Sequence, residues 1–413
     1  MGHLKFIVLL TLLLSIHTSA QEIWQYELPG AVVGAPLLLE EQIVVTGGNL
    51  ILGLDKSGNI LWKRDLGSNS SAVVATDGTR LFVNAENGVH AFKSDGTPLW
   101  YFMSQDGVNL VEGNTHGWGK GLFPDAWDIY RSSPTVRNGI VYFGNKLGTF
   151  ALDAKTGNQI WHLATGVTHT TPAIYKDILV VGSWNNHLYG VDNKSGQVRW
   201  KVKAKLPEGR LAGWQGWEGF NLSPIIHDGV AYVGSRGTYF YAIDVATGEE
   251  RWSSKHPTSW VGSPAIEDEG EIYFGMSDGY TLVGLNAKNG NQHMHFKTGF
   301  YNFARPQVNS DFVFVGTMAG QIFAVNKINN TGKLIFKTPD CKVNCAVMLR
   351  PEGGMNFHFS PIKNTAENMA KDVLRMFDKF DSILSMTYSD GILYLGSAKG
   401  HIYAVDVSTL INS

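Results

Sequence analysis

The stretch SPTVRNGIVYFGNKLGTFALDAKTGNQIW, residues 133–161, is followed by TPAIYKDILVVGSWNNHLYGVDNKSGQVRW, residues 171–200, and by SPIIHDGVAYVGSRGTYFYAIDVATGEERW, residues 223–252. These are three copies of one unit. Each opens on Ser-Pro or Thr-Pro, passes through three alternating apolar runs, turns at a Thr-Gly or Ser-Gly pair and ends on a tryptophan. Alternation with a period of two marks half-buried strands. The glycine pairs supply the positive φ that tight hairpin turns require. A unit of four short strands, repeated at this spacing, predicts a radial array of blades.

The pattern extends in both directions. Four residues after the turn glycine come Trp62, Trp100, Trp161, Trp200 and Trp252, then Met294 and Phe336. The eighth unit, GILYLGSAKGHIYAVDVS (391–408), stops before that position. The N-terminal EIWQYEL (22–28) instead matches a last strand, with Trp24 in the aromatic place. The fold class is therefore all-β: an eight-bladed β-propeller of four-stranded blades, with a split last blade closed by the N-terminal strand. The tryptophans are expected to pack between blades and to donate their indole N–H to a turn. Met294 and Phe336 keep the bulk and lose that bond. Asp153, Asp192 and Asp244, just before their turns, can cap them through backbone N–H groups.

Residues 1–20 read as a secretory signal peptide, with Lys5, an apolar run over 6–16, and small residues Thr18, Ser19 and Ala20 before the cut. The run is too short for a membrane span, and no cysteine stands near the cut to take a lipid anchor. Residues 21–413 then form a single propeller domain located in the periplasm or outside the cell, with no membrane span. A net charge of -2 argues against nucleic acid as a partner. The two cysteines, Cys341 and Cys345, are expected to form a small local disulfide in an exported chain. Alone they lack the other two ligands of structural zinc; their spacing leaves copper or redox use open.

Three insertions break the repeat, at 101–132, 203–222 and 338–385. All fall between the outer strand of one blade and the inner strand of the next, so all are expected on one face. Loops on a rigid scaffold carry function more often than the scaffold does. The insertions and neighbouring connectors offer a candidate pocket of Trp118, Trp127, Arg131, Trp214, Trp217, Trp260, Tyr301 and Arg305. Aromatic plates among charges suit a sugar, a planar cofactor or a peptide. Asp125 and Asp128 are candidate catalytic carboxylates, and Glu218 and Asn221 candidate metal ligands. The third insertion carries one short helix, capped by Thr365, with Met369, Val373, Met376, Phe377 and Phe380 on its apolar face.

The LDAKTGNQIW block and its variants resemble the tryptophan-docking repeats of the quinoprotein-like (PQQ-like) propeller family. The resemblance covers essentially the whole mature chain and extends to the compact, BamB-like outer-membrane-assembly propeller lipoproteins, although the lipobox cysteine is missing. It implies the fold and leaves the activity open. The leading expectation is a non-catalytic binding or scaffold protein. Its insertion-bearing face would hold an exported or outer-membrane protein, or a small sugar-like or aromatic ligand, with no cofactor. Under the alternative that the resemblance also implies, the chain is an alcohol or sugar dehydrogenase that uses pyrroloquinoline quinone (PQQ) with calcium. Against that alternative, no adjacent cysteine pair and no CxxCH haem motif is present. A carbohydrate-binding propeller is the third reading.

Overall fold

Each repeat folds as one antiparallel sheet. The third runs Thr135–Arg137, Ile140–Asn145, Gly148–Asp153 and Gln159–Leu163, paired in chain order. The structure, a computed structural model, describes residues 20–107, 110–112, 121–125, 127–206, 219–356 and 369–410. Among these residues eight four-stranded sheets follow one another. The first strands of successive blades touch one another, which places them around the central channel. In the last blade Gln21–Glu27 pairs with His401–Asp406, which pairs with Ile392–Ser397 and then Ile383–Ser389. The ring is therefore closed by the N-terminal strand, as the truncated eighth unit implies. The expected signal peptide lies outside the described residues except for Ala20.

Two interactions join neighbouring blades, one at the rim and one at the channel. At the rim each tryptophan has three seats. Trp161 lies opposite the small Ala151 in its own sheet, and Trp200 opposite Gly190. The indole N–H of Trp161 donates to the Asn193 carbonyl of the next blade at 3.0 Å. Its ring lies under Gly196 in that same turn, where a Cβ would sit 2.8 Å from the indole Cδ2. Trp100, Trp200 and Trp252 repeat the bond to Ala154, Val245 and Ala287. Trp24 makes it to Lys56 O at 2.9 Å and so latches the split blade onto the first. Trp62 is a variant: its N–H goes to Gln42 Oε1, and the Gln42 amide passes the bond on to Ser94 O. Asp153, Asp192 and Asp244 cap the turns as their positions suggested.

Where the tryptophan is missing, other side chains fill the join. Met294 is fully buried, and Phe296 takes the place under Gly332. Phe336 packs on Tyr403 with centroids 5.5 Å apart. At the channel, the hydroxyl of the Ser-Pro or Thr-Pro motif accepts a backbone N–H from the preceding blade. Val73 N donates to Ser133, Ser133 N to Thr171, and Thr171 N to Ser223.

The third insertion holds two helices, α1 (Pro339–Met348) and α2 (Met369–Phe380), where the sequence reading supplied only the second. The additional helix has clear local signals. Thr338 Oγ1 accepts the Cys341 N–H, Pro339 opens the first turn and Asp340 lies near its positive end. Cys341 and Cys345 lie one turn apart on α1 and are joined, with Cα atoms 4.8 Å apart. Val373, Met376, Phe377 and Phe380 bury the apolar face of α2; Thr365 lies outside the described residues. No described helix is long and apolar enough to cross a membrane.

The rim latch can be isolated by comparing two glycines with the same backbone strain. Gly196 (φ +74) has the Trp161 ring beneath it, whereas Gly139 (φ +77) has nothing within 4 Å of a Cβ. Gly139→Ala should cost about 1 kcal/mol for the left-handed backbone alone. Gly196→Ala should cost about 2 to 4 kcal/mol, because the clash is added. Urea unfolding measures both, and equal losses would show that the ring contact does not matter.

Candidate functional site

Strand direction alternates within a blade. The connections from outer to inner strands therefore leave on the same face as the hairpins joining second to third strands. The three insertions share that face with the turns at 184–186, 235–238 and 277–280. The first insertion contributes its hairpin, Leu110–Glu112 with Leu122–Pro124.

A buried charge network fills the centre of this face. His169 Nδ1 is 2.7 Å from Asp128 Oδ2, and its Nε2 is 3.3 Å from Asp106 Oδ1. Arg131 Nε lies 3.5 Å from Asp106, and its Nη1 donates to the Asp128 carbonyl at 2.6 Å. Arg236 donates to Asp125 at 2.6 Å and stacks 4.7 Å over the Trp184 ring. Three carboxylates thus face two guanidiniums and an imidazole. Burial pulls the His169 pKa down, but the Asp128 charge and hydrogen bonds to Asp106 and Asp128 reverse this and raise it to about 9. Burial likewise pushes Asp128 up, and the His169 charge with Arg131 and Arg236 holds it below the usual carboxylate value. Both groups are therefore charged at neutral pH, and the network is balanced.

The turn that delivers Arg236 is strained. Thr238, fully buried, has φ +75, a conformation that a β-branched residue rarely takes. Corresponding turns in other blades use Gly48, Asn186, Gly320 or Gly400 at such angles, and Tyr280 in the sixth. The strain is offset by what the turn holds: the Arg236–Asp125 pair, and the Thr238 carbonyl that receives the His256 N–H at 2.7 Å.

Above and beside the network the face is apolar. Trp127 meets Phe303 edge-on at 5.6 Å, Phe377 of α2 at 5.9 Å and Tyr301 at 5.3 Å. These rings share one cluster with the buried face of α2, so the helix is seated as a lid. The recess that remains is lined by Trp127, Tyr130, Asn221, Arg236, Trp260 and Phe303. Its empty space is about 390 Å³, but the centre of a water molecule fits in only about 20 Å³ of it. That is room for about one water. A wider polar groove, with about 720 Å³ of empty space, runs past Lys297, Gln321, Arg350 and Glu352.

The residues singled out from the sequence are thus divided. Asp125, Asp128 and Arg131 are in the charge network. Trp127, Trp260 and Asn221 line the recess, and Tyr301 packs under the lid. Arg305 stands apart, just before the inner strand of the seventh blade. It is solvent-accessible yet crowded by protein, which lowers its pKa, and its Nε donates to Ala265 O at 2.8 Å. Trp118, Trp214, Trp217 and Glu218 lie outside the described residues. Asp106, Trp184, Arg236 and Phe303 were not foreseen. Arg236 has no local signal in the sequence, since the strain of its turn at Thr238 shows only in the fold.

Comparison with known proteins agrees with this architecture. A family model described as outer membrane protein assembly factor BamB matches residues 12–73, 49–217 and 214–339. The chain belongs to the PQQ-like, BamB-like propeller family. BamB from Moraxella catarrhalis shares the fold with a TM-score of 0.64 at 15% identity, covering 94% of this chain and 99% of that one. Quinohemoprotein alcohol dehydrogenase of Comamonas testosteroni is 26% identical over 140 residues, 29% of this chain and 19% of that protein. BamB of Alkalilimnicola ehrlichii is 25% identical over 121 residues, 29% of this chain and 30% of that protein. The match therefore spans less than a third of these curated relatives.

The chain is thus similar both to an outer membrane protein assembly factor and to a quinohemoprotein alcohol dehydrogenase, and the described residues can be set against what a bound quinone would need. A tricyclic quinone does not fit a recess with room for about one water. Among the described residues no three His, Cys, Asp or Glu side chains converge to hold a metal ion. Asn221 Oδ1 is buried without a hydrogen-bond partner, but the described acids named from the sequence, Asp125 and Asp128, are committed to Arg236 and His169. The described residues do not fit PQQ with calcium.

The His169 network gives a pH test. Its folded pKa is raised, so its contribution to stability is complete below about pH 6.5 and is lost as pH rises through about 9. Urea midpoints should fall across that window by the equivalent of up to about 3 kcal/mol. In His169→Gln the fall should disappear; a variant with the same alkaline slope would place the titration elsewhere.

Proposed function

We propose that the protein is an exported, non-catalytic scaffold propeller whose insertion-bearing face holds another exported or outer-membrane protein. One contrast carries the reading: the interior of the face is packed and charge-balanced, while apolar side chains stand exposed on the insertions above it. Leu110 and Leu122 on the hairpin are 51% and 59% exposed, and Val343, Val347 and Leu374 on the lid helices 73%, 48% and 59%. Apolar groups grouped on insertions and rimmed by charge suit a protein partner. The BamB likeness supports a partner of the outer membrane. Export is supported by the signal-peptide reading of residues 1–20 and by the disulfide, which needs an oxidising compartment. Asp125 and Asp128, held in ion pairs, are poorly placed to serve as a general base.

Capture of envelope proteins on the purified chain tests the proposal. The variant Val343→Glu, Val347→Glu, Leu374→Glu should lose a partner that the parent chain retains, with thermal melting unchanged. An identical partner set would overturn the assignment of this surface. PQQ with calcium should neither raise the melting temperature nor support alcohol-dependent dye reduction; if it did both, the protein would be a dehydrogenase.

A further inference from the structure

Among the described residues Arg305 is a cation without a counter-ion. It lies two residues before Gln307–Val308, the inner strand of the seventh blade, and the inner strands of successive blades line the channel. The register fixes its place in the repeat. Gln307 pairs with Phe314 as Thr135 pairs with Tyr142, so Arg305 stands where the third blade has Ser133. The same count gives Thr171, Ser223 and Ser385 in the fourth, fifth and eighth blades. An arginine thus replaces a small hydroxyl residue on the channel wall.

The side chain reaches back around the ring, and its Nε donates to Ala265 O of the sixth blade at 2.8 Å. That bond uses one of its three nitrogens. The two terminal nitrogens have no described partner, and the side chain is open to solvent. Crowding by protein alone lowers its pKa, and no carboxylate offsets the loss of water. Access together with crowding is what a channel wall produces. The free pair of Nη atoms is the fork that holds a carboxylate through two parallel, charge-assisted hydrogen bonds.

The surroundings limit what can bring that carboxylate. Phe303, two residues before Arg305, is buried in the cluster under the lid, so the open approach is from the other face. There the hairpins joining first to second strands surround the mouth. Their tips carry exposed Glu40, Glu41, Asp228, Glu269 and Asp390, against Arg137 and Lys176. A polyanion is repelled at such a mouth. A ligand that is cationic along its length and ends in a carboxylate is attracted at both points. We infer that the central channel binds a molecule of this kind, its carboxylate on Arg305 and its positive groups at the acidic mouth. About five residues separate Arg305 from the hairpin tip at Ser310, or ~17 Å of extended chain. The C-terminal segment of a basic peptide spans that length, whereas a free basic amino acid brings the same carboxylate without it. The competing explanation is that Arg305 only ties the seventh blade to the sixth, with its charge solvated by channel water.

Isothermal titration of the full chain at fixed ionic strength separates the two. The probes are a six-residue peptide of alternating glycine and lysine with a free C-terminus, the same peptide as its C-terminal amide, and free lysine. The free-acid peptide should bind about tenfold or more tighter than the amide, the worth of a charge-assisted hydrogen-bond pair. Binding of free lysine as tight as that of the free-acid peptide would assign the site to an amino acid; weaker binding assigns it to a chain end. Arg305→Ser installs the residue that Ser133, Ser223 and Ser385 supply elsewhere, so the ring should fold, and the preference for the free acid should vanish. Arg305→Lys keeps the charge without the fork and should keep only part of it; full preference there would overturn the two-pronged hold. The acid-against-amide comparison is made on the parent chain and does not depend on a variant folding. If neither free lysine nor the free-acid peptide binds the parent chain more tightly than the amide does, the site is overturned. Arg305→Ser leaves Val343, Val347 and Leu374 in place, so this site and the lid surface fail separately.

Discussion

An indole ring laid across a glycine of the neighbouring blade is the contact on which this molecule depends. It sets three requirements at once. The facing residue in the ring's own sheet must be small, as Ala151 is for Trp161 and Gly190 is for Trp200. The neighbouring turn must contain a glycine, since a Cβ at Gly196 would collide with the ring. That turn must also present a carbonyl to the indole N–H. Each requirement is met by a residue at a fixed place in the repeat, so the same few positions recur along the chain. Trp24 extends the latch across the chain ends, and the hydroxyls of Ser133, Thr171 and Ser223 supply a second set of ties near the axis.

A ring held in this way leaves its connecting loops free to vary. Three of them have grown on one face, and their described parts pack as an additional layer. The lid helix α2 covers Trp127, Tyr301 and Phe303, while Asp106, Asp128, Arg131 and His169 neutralise one another beneath. Buried charges of this kind contribute little net stability once desolvation is counted, but removing one partner strands the others. The network therefore fixes how the first insertion sits on the ring. What the face can offer a partner is its outer surface, where the apolar side chains of the hairpin and the lid are exposed.

The propeller was legible in the sequence because its determinants are local and repeated. The turn glycine, the capping aspartate and the tryptophan lie within a dozen residues of one another, and each unit restates them. Even the split blade was visible, since EIWQYEL supplies the strand that the eighth unit lacks. The site was much less legible. Asp125 and Arg236 are 111 residues apart and meet only because the first insertion and the 235–238 turn share a face. Trp127 and Tyr301, read as pocket plates, are covered by a helix from a third insertion. Thr338, Pro339 and Asp340 announce helix α1, but the CxxxC pair alone fits a small local disulfide in a loop as well as one on a helix face.

The split blade is where this account is most exposed. If blade-to-blade contacts hold the ring, removing the closing strand must weaken the whole circle and not only its ends. The direct measurement is urea unfolding with amide hydrogen exchange on a chain that begins at Leu28, lacking Gln21–Glu27 and with it Trp24. The account predicts a lower midpoint, with loss of protection in His401–Asp406 and in the 55–58 turn of the first blade that Trp24 covers. An unchanged midpoint with full protection in both places would contradict it.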